Sequence, residues 1–451
     1  MQHQLAALTR RVLGPKSEKM PTIEKELGQP ADPVETKKKR RARRAIREEL
    51  ASVTTVHDVP PKKRRCPKCD SEKLSSMPAK ASTVYEYVPA HFVAHNHLRE
   101  TLRCTCGGLV IADGPAKWWE KSQYGASFVA HLVTAKCADS IPLYRLEKEY
   151  TRIGVPVARS TMTDLFLRAA DVLEPVYLRL LELIRNAPLV HADETSKKVL
   201  AEGKCKTGYM WNFRATSPAP LIAFVFAPNR SNDTPKRILG GTTGELMVDG
   251  YTGYNVVSQV DGRRRSACYA HVRRYFFDAI PTAPEAKEAL DFIRELYRVE
   301  RAAQKAGILG TPAHLTMRRE KSAPVREKLK AWMLEAQGLH PPKSPLGEAI
   351  RYTLNRWDEL GNFLESAVIP LDNNPAEAAL RRVALGRKNF LFVGNDEAGT
   401  RLAGLYSLVA TCEANDVNPL AYIEDVLTRV SSHPASAIDE LLPHRWTARA
   451  S

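Results

Sequence analysis

Three acidic side chains stand where a divalent cation could be held. Asp193 follows the apolar run Pro188-Leu189-Val190-His191-Ala192 and precedes the polar Glu194-Thr195-Ser196-Lys197, while Asp249 follows Leu246-Met247-Val248 and precedes Gly250. A carboxylate at the C-terminal tip of a buried strand is held rigidly yet reaches the sheet edge, where ligands bind in α/β folds. Two such tips in neighbouring strands bring like charges together, which is costly unless a divalent cation neutralises them. The alternative is that both are turn-forming residues, the usual meaning of Asp-Gly. The third acid is Glu377, in Leu371-Asp372-Asn373-Asn374-Pro375-Ala376-Glu377. Asn374 reads as an N-cap and Pro375 as the first helical residue, so Glu377 has capping-box spacing. Arg381, four residues on, offers it an ion pair instead. Against both alternatives, the Asp-Asn-Asn run is unusually polar for a simple turn.

A second constellation is Cys66-x-x-Cys69 with Cys104-x-Cys106, each pair backed by turn residues (Pro67-Lys68 and Gly107-Gly108). Zinc asks for four thiolate or imidazole ligands in a tetrahedron, and two knuckle-like pairs on facing turns provide them. His91, His95 and His97 lie between the pairs and could replace one cysteine. Four buried or free thiols are the alternative. The other cysteines (Cys137, Cys205, Cys268, Cys412) are isolated, so the 8 cysteines make no disulfide framework. A reducing cytoplasm fits that usage.

The elements that must position these groups separate by pattern. Residues 1–62 form a basic N-terminal segment; residues 63–115 hold the paired cysteines and short β-like runs such as Thr83–Val88. Residues 116–186 read helical: Ser140–Ile153 is amphipathic, Gly154-Val155-Pro156 breaks it, and Ser160–Ile184 resumes it. That break, with polar residues opening the second helix, resembles helix-turn-helix spacing, although helix pairs joined by a glycine turn are common in any helical domain. Between 187 and 280 the period changes, and Pro188–Asp193, Tyr209–Ala215, Leu221–Ala227 and Glu245–Asp249 read as strands bounded by Gly, Pro and Asn. Residues 281–369 are helical and charge-rich, and the helical pattern resumes towards the C-terminus. Helix after strand after helix predicts an α/β core interrupted by helices.

Charge narrows the partners. The chain has 451 residues and a net charge of +16, with 43% apolar and 26% charged residues, which excludes global disorder and a collagen-like repeat. The longest apolar run, the 7 residues Leu221–Ala227, is far below the roughly 20 needed to span a bilayer. No signal peptide is visible at Met1-Gln2-His3-Gln4. Residues 1–65 hold 17 basic and 8 acidic side chains, so +9 of the charge sits there. Within it, Lys37, Lys38, Lys39, Arg40, Arg41, Arg43 and Arg44 form a block without an acid. Such a block repels itself and stays solvated; its functional reading is polyphosphate binding by counterion release, and its bland reading a solubilising linker.

Several motifs together resemble those of bacterial transposases of the insertion sequence sixty-six family. They are His191-Ala192-Asp193-Glu194-Thr195, Val248-Asp249-Gly250-Tyr251-x-Gly253-Tyr254, Cys268-Tyr269-Ala270-His271-Val272-Arg273-Arg274-Tyr275-Phe276 and Asp372-Asn373-Asn374-x-x-Glu377-x-x-Leu380-Arg381. Gly14–Lys19, the Cys66/Cys69 pair, Gly386-Arg387-Lys388-Asn389-Phe390-Leu391-Phe392 and Ile438–Pro443 also look like that family, in order along nearly the whole chain. Two departures are visible: the longer leucine-rich helix with which family members usually begin is largely missing before Leu5, and the second cysteine pair encloses one residue where the family usually has two.

The resemblance implies a ribonuclease-H-like core, 187–280 with 370–395, carrying an Asp-Asp-Glu metal triad of Asp193, Asp249 and Glu377. It also implies a zinc-finger-like module (63–115), a helical DNA-binding region (116–186), a helical insertion (281–369) and a C-terminal helical region (396–451). Two Mg²⁺ or Mn²⁺ ions would serve cleavage at element ends and joining of the freed 3′-hydroxyl to target DNA, and one structural Zn²⁺ would sit on the cysteines. Double-stranded DNA, bearing the terminal inverted repeats or the target, is the implied partner, with self-association and accessory proteins of the same element. His271, Arg273 and Arg274 are read as lining the DNA channel, with packing as the alternative, and Arg387 and Lys388 as touching backbone phosphate. Two other classes compete: a DNA-binding regulator whose acids are structural, and a ribonuclease-H-type nuclease without joining activity. Metal-dependent nicking and strand-transfer products separate them.

The cysteine reading is directly measurable. Elemental analysis of the purified chain is expected to find about one zinc per chain, reduced to a trace when Cys66 and Cys69 are both replaced by serine; a folded chain free of zinc would refute it.

Overall fold

The computed structural model describes residues 71–72, 91–103, 105–106, 109–115, 117–120, 122–258 and 262–448. The basic block 37–44, the run 83–88 and Cys66, Cys69 and Cys104 lie outside them. From His95 onward the described residues belong to one compact unit, and the few before it to a second, Pro21–Ala94. Near the start of the larger unit a short antiparallel hairpin, β1 (Thr101–Arg103) and β2 (Leu109–Ile111), brackets Cys106, whose thiol is exposed.

The architecture is mixed α/β. β3 (Leu189–Ala201), β4 (Lys204–Ala215) and β5 (Leu221–Ala227) form an antiparallel meander, and β6 (Glu245–Val248) and β7 (Arg264–Ala267) extend it in parallel on the other side of β3. The order is β5-β4-β3-β6-β7, and the two residues of β8 (Phe392–Val393) add to the far end of β3, parallel to it.

One expectation is corrected here. β3 does not end at Asp193 but runs eight residues further, to Ala201, paired with β4 as far as a turn at Glu202-Gly203 where Gly203 has φ 66°. The polar residues after Asp193 stay in the strand because each finds a partner there. Glu194 meets Arg230 and Tyr254, Ser196 meets Arg387, and the Lys197 ammonium lies 5.0 Å from the Phe390 ring centroid. Polar composition alone imitates a strand end when tertiary partners are invisible.

Helices cover both sides. α1 (Ala126–Cys137), α2 (Leu143–Arg152) and α3 (Arg159–Arg185) precede the sheet, and α2 ends at the Gly154 turn (φ 84°). α3 is 27 residues long and packs its buried stripe on β5 and on α11 (Asp396–Ala414), so it is chiefly a core helix. α4 (Asp233–Leu239) links β5 to β6. After β7 come α5 (Tyr269–Ala279), α6 (Ala286–Lys305), α7 (Pro312–Met317), α8 (Ala323–Gln337) and α9 (Pro345–Leu354). Val272 and Phe276 of α5 share one apolar core with Ile293, Leu329, Leu346 and Ile350, and with Leu189, Met247 and Ala267 of the sheet. Arg318, 1% exposed, ties this helical segment to the chain leading into α10 (Asn374–Phe390): it holds Glu300 with two bonds (2.7 and 2.6 Å) and donates to the Phe363 and Ser366 carbonyls. α12 (Pro419–Arg429) follows α11. No helix among the described residues is long and apolar enough to cross a membrane.

The exposed hydrogen-bonding edge of β5 is closed by α11 rather than by another strand. Ser407 Oγ accepts the Phe224 N–H (2.8 Å), and Thr411 Oγ1 accepts the Ile222 N–H (3.1 Å) and donates back to the Ile222 carbonyl (3.0 Å). The spacing matches: four helical residues rise about 6 Å and two strand residues about 6.6 Å. Tyr177 of α3 donates to the Phe224 carbonyl (2.9 Å), which completes the cover of an edge that would otherwise recruit foreign strands. Ser407→Ala and Thr411→Val each leave a buried N–H unpaired and are expected to lower stability by about 1–3 kcal/mol. In urea the midpoint should fall at constant slope; unchanged midpoints would mean that the hydroxyls carry no weight.

Candidate active site

The register of β3 and β6 brings the two aspartates together. Leu189 pairs with Glu245, Val190 with Leu246 and His191 with Met247, and the same offset carried onward sets Asp193 level with Asp249, one residue past the end of β6. Asp193 remains paired with Asn212 on its β4 side, so its backbone is rigid where the β6 side opens. Its Oδ1 accepts the following N–H, from Glu194, at 2.8 Å. Asp249 is both things that its sequence allows. Its Oδ1 accepts the Tyr251 N–H (2.9 Å) in an Asx turn, and its charge acts on Asp193. Gly250 lets Arg356 approach closely: a Cβ there would lie 2.7 Å from Arg356 Nη2 and displace the guanidinium that donates to the Gly250 carbonyl at 3.0 Å.

Glu377 comes from the first turn of α10, whose start differs from the expectation. The cap position is Asn373, not Asn374, and its side chain makes no cap bond. Instead Asn373, 0% exposed, bridges elements: Nδ2 donates to the Ala192 carbonyl (2.8 Å), Oδ1 faces His191 Nδ1 (3.0 Å), and its own N–H reaches Cys268 Sγ (3.2 Å). The Tyr269 N–H donates to the Leu371 carbonyl (2.9 Å), and Arg214 of β4 donates to the Pro375 carbonyl (3.0 Å). Thus β3, β4, the start of α5 and the start of α10 are clamped at one point. Glu377 turns towards His271 of α5, whose Nδ1 lies 3.7 Å from its Oε1, rather than towards Arg381. Capping and the i+4 pair therefore both give way to a tertiary placement.

The electrostatics are those of crowded carboxylates. Burial pushes the Asp193 carboxyl up to about 8, and Glu194, Asp249 and Glu377 add repulsion, against one backbone bond that favours the charge. Glu194, on the opposite side of the strand, is also raised by burial although Tyr254 (2.7 Å) and Arg230 (2.5 Å) hold its two oxygens. Burial lowers His191 to about 4, so it is neutral at pH 7 and its ring can share a proton with Asn373. Glu377 Oε1 is buried with no hydrogen-bond partner. Hard oxygen donors, mutual repulsion and an orphaned carboxylate oxygen together fit a divalent cation.

The expected DNA contacts fall out unevenly. Arg273 is 4% exposed and close to Tyr297, so it packs between helices; Arg274 is half-buried and Lys388 is exposed. Arg387 is spent on β3, donating to Ser196 O and Oγ (both 2.9 Å). Sequence reasoning missed Asn373, the Glu194–Arg230–Tyr254 clamp and the buried Lys197, whose ammonium is lowered to about 8 chiefly by burial. The only signal for Asn373 was the excess polarity of Asp372-Asn373-Asn374.

The architecture is a mixed α/β sheet with Asp193 and Asp249 level on neighbouring strands and Glu377, on the first turn of a helix, within electrostatic reach of Asp193. Comparison narrows the class. Residues 121–401 match the family model described as Transposase IS66 family, residues 407–444 the IS66 C-terminal element, and residues 63–107 the zinc-finger binding domain of transposase IS66. The chain belongs to the IS66 transposase family. Among curated relatives, it is 32% identical over 413 residues to the uncharacterized protein y4jD of Sinorhizobium fredii, covering 86% of this chain and 80% of the relative. It is 33% identical over 355 residues to y4qI of the same organism, covering 74% and 65%.

The raised Asp193 carboxyl predicts a pH signature. Because the folded state holds this proton more tightly than the unfolded state, the contribution is fully present below about pH 4 and is lost as pH rises through about 8. In chelator, Asp193→Asn is therefore expected to be more stable than the parent at pH 8, by about 1 kcal/mol or more, with the gap closing towards pH 4. Thermal melts across that range check it; a constant gap would place Asp193 elsewhere.

Proposed function

We propose that the chain is an Asp-Asp-Glu transposase that cleaves DNA at element ends and joins the freed 3′-hydroxyls to target DNA. The observation that carries this is the register that sets Asp193 level with Asp249 on the open edge between β3 and β6, where burial raises the Asp193 carboxyl and Asp249 and Glu377 lie close enough to add repulsion. The strand order, three antiparallel strands followed by two parallel ones, supports a ribonuclease-H-like core made from 187–280 and 370–395, with 281–369 as its helical insertion.

Asp193, Asp249 and Glu377 would hold two Mg²⁺ or Mn²⁺ ions. Bound there, the ions supply Lewis acidity for in-line displacement at phosphorus and offset phosphate charge. The protein's own share is positioning. Asn373 keeps α10 against β3, so Glu377 cannot drift from the aspartates, and the β3–β4 pairing keeps Asp193 in one conformation. The Glu194–Arg230–Tyr254 clamp ties β3, one residue beyond Asp193, to the chain that follows β5 and to the turn that follows Asp249. In cleavage, water oxygen attacks phosphorus and the 3′-oxygen departs with a proton; in joining, that 3′-hydroxyl attacks a target phosphodiester, the target strand's own 3′-oxygen leaves, and it takes up the proton that the attacking hydroxyl loses. Lys388 and the basic block Lys37–Arg44 would meet backbone phosphates and add affinity without sequence choice. Cys66, Cys69, Cys104 and Cys106, within the zinc-finger match at 63–107, would hold one structural zinc.

Asp193→Asn, Asp249→Asn and Glu377→Gln should each cut metal-dependent nicking and joining of end-bearing DNA by at least about 100-fold, since losing an ion's stabilisation is worth several kcal/mol. DNA retention in a gel-shift assay should barely change. A fully active Glu377→Gln would remove that residue from the site.

A further inference from the structure

The sequence of α5 places Cys268 at the helix cap and His271 one turn on, so both side chains address the same region as the first turn of α10. There, ligand atoms of Cys268, His271 and Glu377 all lie within 4.8 Å of one another. His271 Nδ1 and Glu377 Oε1, 3.7 Å apart, are too distant for a hydrogen bond. Each is nevertheless buried and lacks a hydrogen-bond partner among the described residues. Two polar atoms that face each other, shielded from water and bonded to nothing, are costly unless something lies between them. A cation fits the gap: two ligand bonds of about 2.0–2.2 Å each span up to about 4.4 Å.

We propose that His271 is a metal ligand, its Nδ1 sharing with Glu377 Oε1 the ion farther from Asp249, so that one of the two cation positions is a mixed nitrogen–oxygen site. The neutral imidazole carries its proton on Nε2 and offers the Nδ1 lone pair. An imidazole ligand suits Mn²⁺ and later transition ions better than Mg²⁺, which favours an all-oxygen shell. The two positions are then unequal: one built from Asp193 and Asp249 alone, the other selective for a transition ion. Cys268 forms the floor. Its sulfur accepts the Asn373 N–H at 3.2 Å and is 0% exposed, which fixes the end of α5 and hence the aim of His271. This inference rests on the reading of Glu377 as a metal ligand, and not on the reaction the site performs.

The test uses the full chain loaded with Mn²⁺. Pulsed electron paramagnetic resonance should show a directly bonded ¹⁴N coupling that changes on ¹⁵N-histidine labelling and disappears in His271→Ala. By titration, His271→Ala should weaken Mn²⁺ binding by about tenfold or more at its weaker-bound or stronger-bound step, while Mg²⁺ binding shifts by less than about threefold. His271→Gln, closer in size, serves if the alanine variant fails to fold; it too should lose the nitrogen signal. A chain without nitrogen coupling, or with coupling that survives both substitutions, would overturn the assignment. Coupling in a chain that never nicks end-bearing DNA would uphold His271 as a ligand and discard the transposase chemistry; nicking without coupling would do the reverse.

Discussion

The placement of Glu377 beside β3 depends on one buried amide. Asn373 has a donor pair, an acceptor and a backbone N–H, and it spends them on β3 twice and on Cys268 once. A buried side chain amide is tolerated only when its capacity is met, so the three elements it touches can assemble in one arrangement. That arrangement turns Glu377, which sits one helical turn beyond, towards His271 and within electrostatic reach of Asp193. No apolar contact could do this as well, because dispersion is non-directional and would leave α10 free to rotate.

The same clamp explains how the chain tolerates so much negative charge. Asp193 and Glu194 are adjacent on β3 and therefore point to opposite faces, where their environments diverge. Glu194 is given a guanidinium and a phenol, and so has a structural role. Asp193 is buried with only its neighbour's N–H as a partner, and burial first, then the nearby carboxylates of Glu194, Asp249 and Glu377, raises its proton affinity. Two acids side by side in the chain are thus separated into one that holds the strand and one that has no cationic partner among the described residues.

Elsewhere the structure protects this edge by closing the others. β5 is sealed by hydroxyls of α11 and the phenol of Tyr177, and the helical segment 286–354 is built on the β6–β7 side through the core shared with α5. Arg318 then carries that segment's position to the chain entering α10. The helices between Asp249 and Glu377 are therefore coupled to the site as well as inserted into the sequence.

Residue type and spacing by themselves determined the strands Leu221–Ala227 and Glu245–Val248 to within a residue, the break at Gly154 and the family. Those signals are local: periodicity, turn chemistry and motif order need no knowledge of what packs where. The length of β3 beyond Asp193 was decided only in three dimensions, because Thr195, Ser196 and Lys197 look like a turn until Arg387 and Phe390 are in place. The burial of Arg273 and the role of Asn373 were decided there too. So was the meeting of Cys268, His271 and Glu377, contributed by α5 and α10 from across the helical segment. A hydrogen bond or ligand set formed over a hundred residues leaves no periodic trace in the chain; it exists only once folding has fixed both partners.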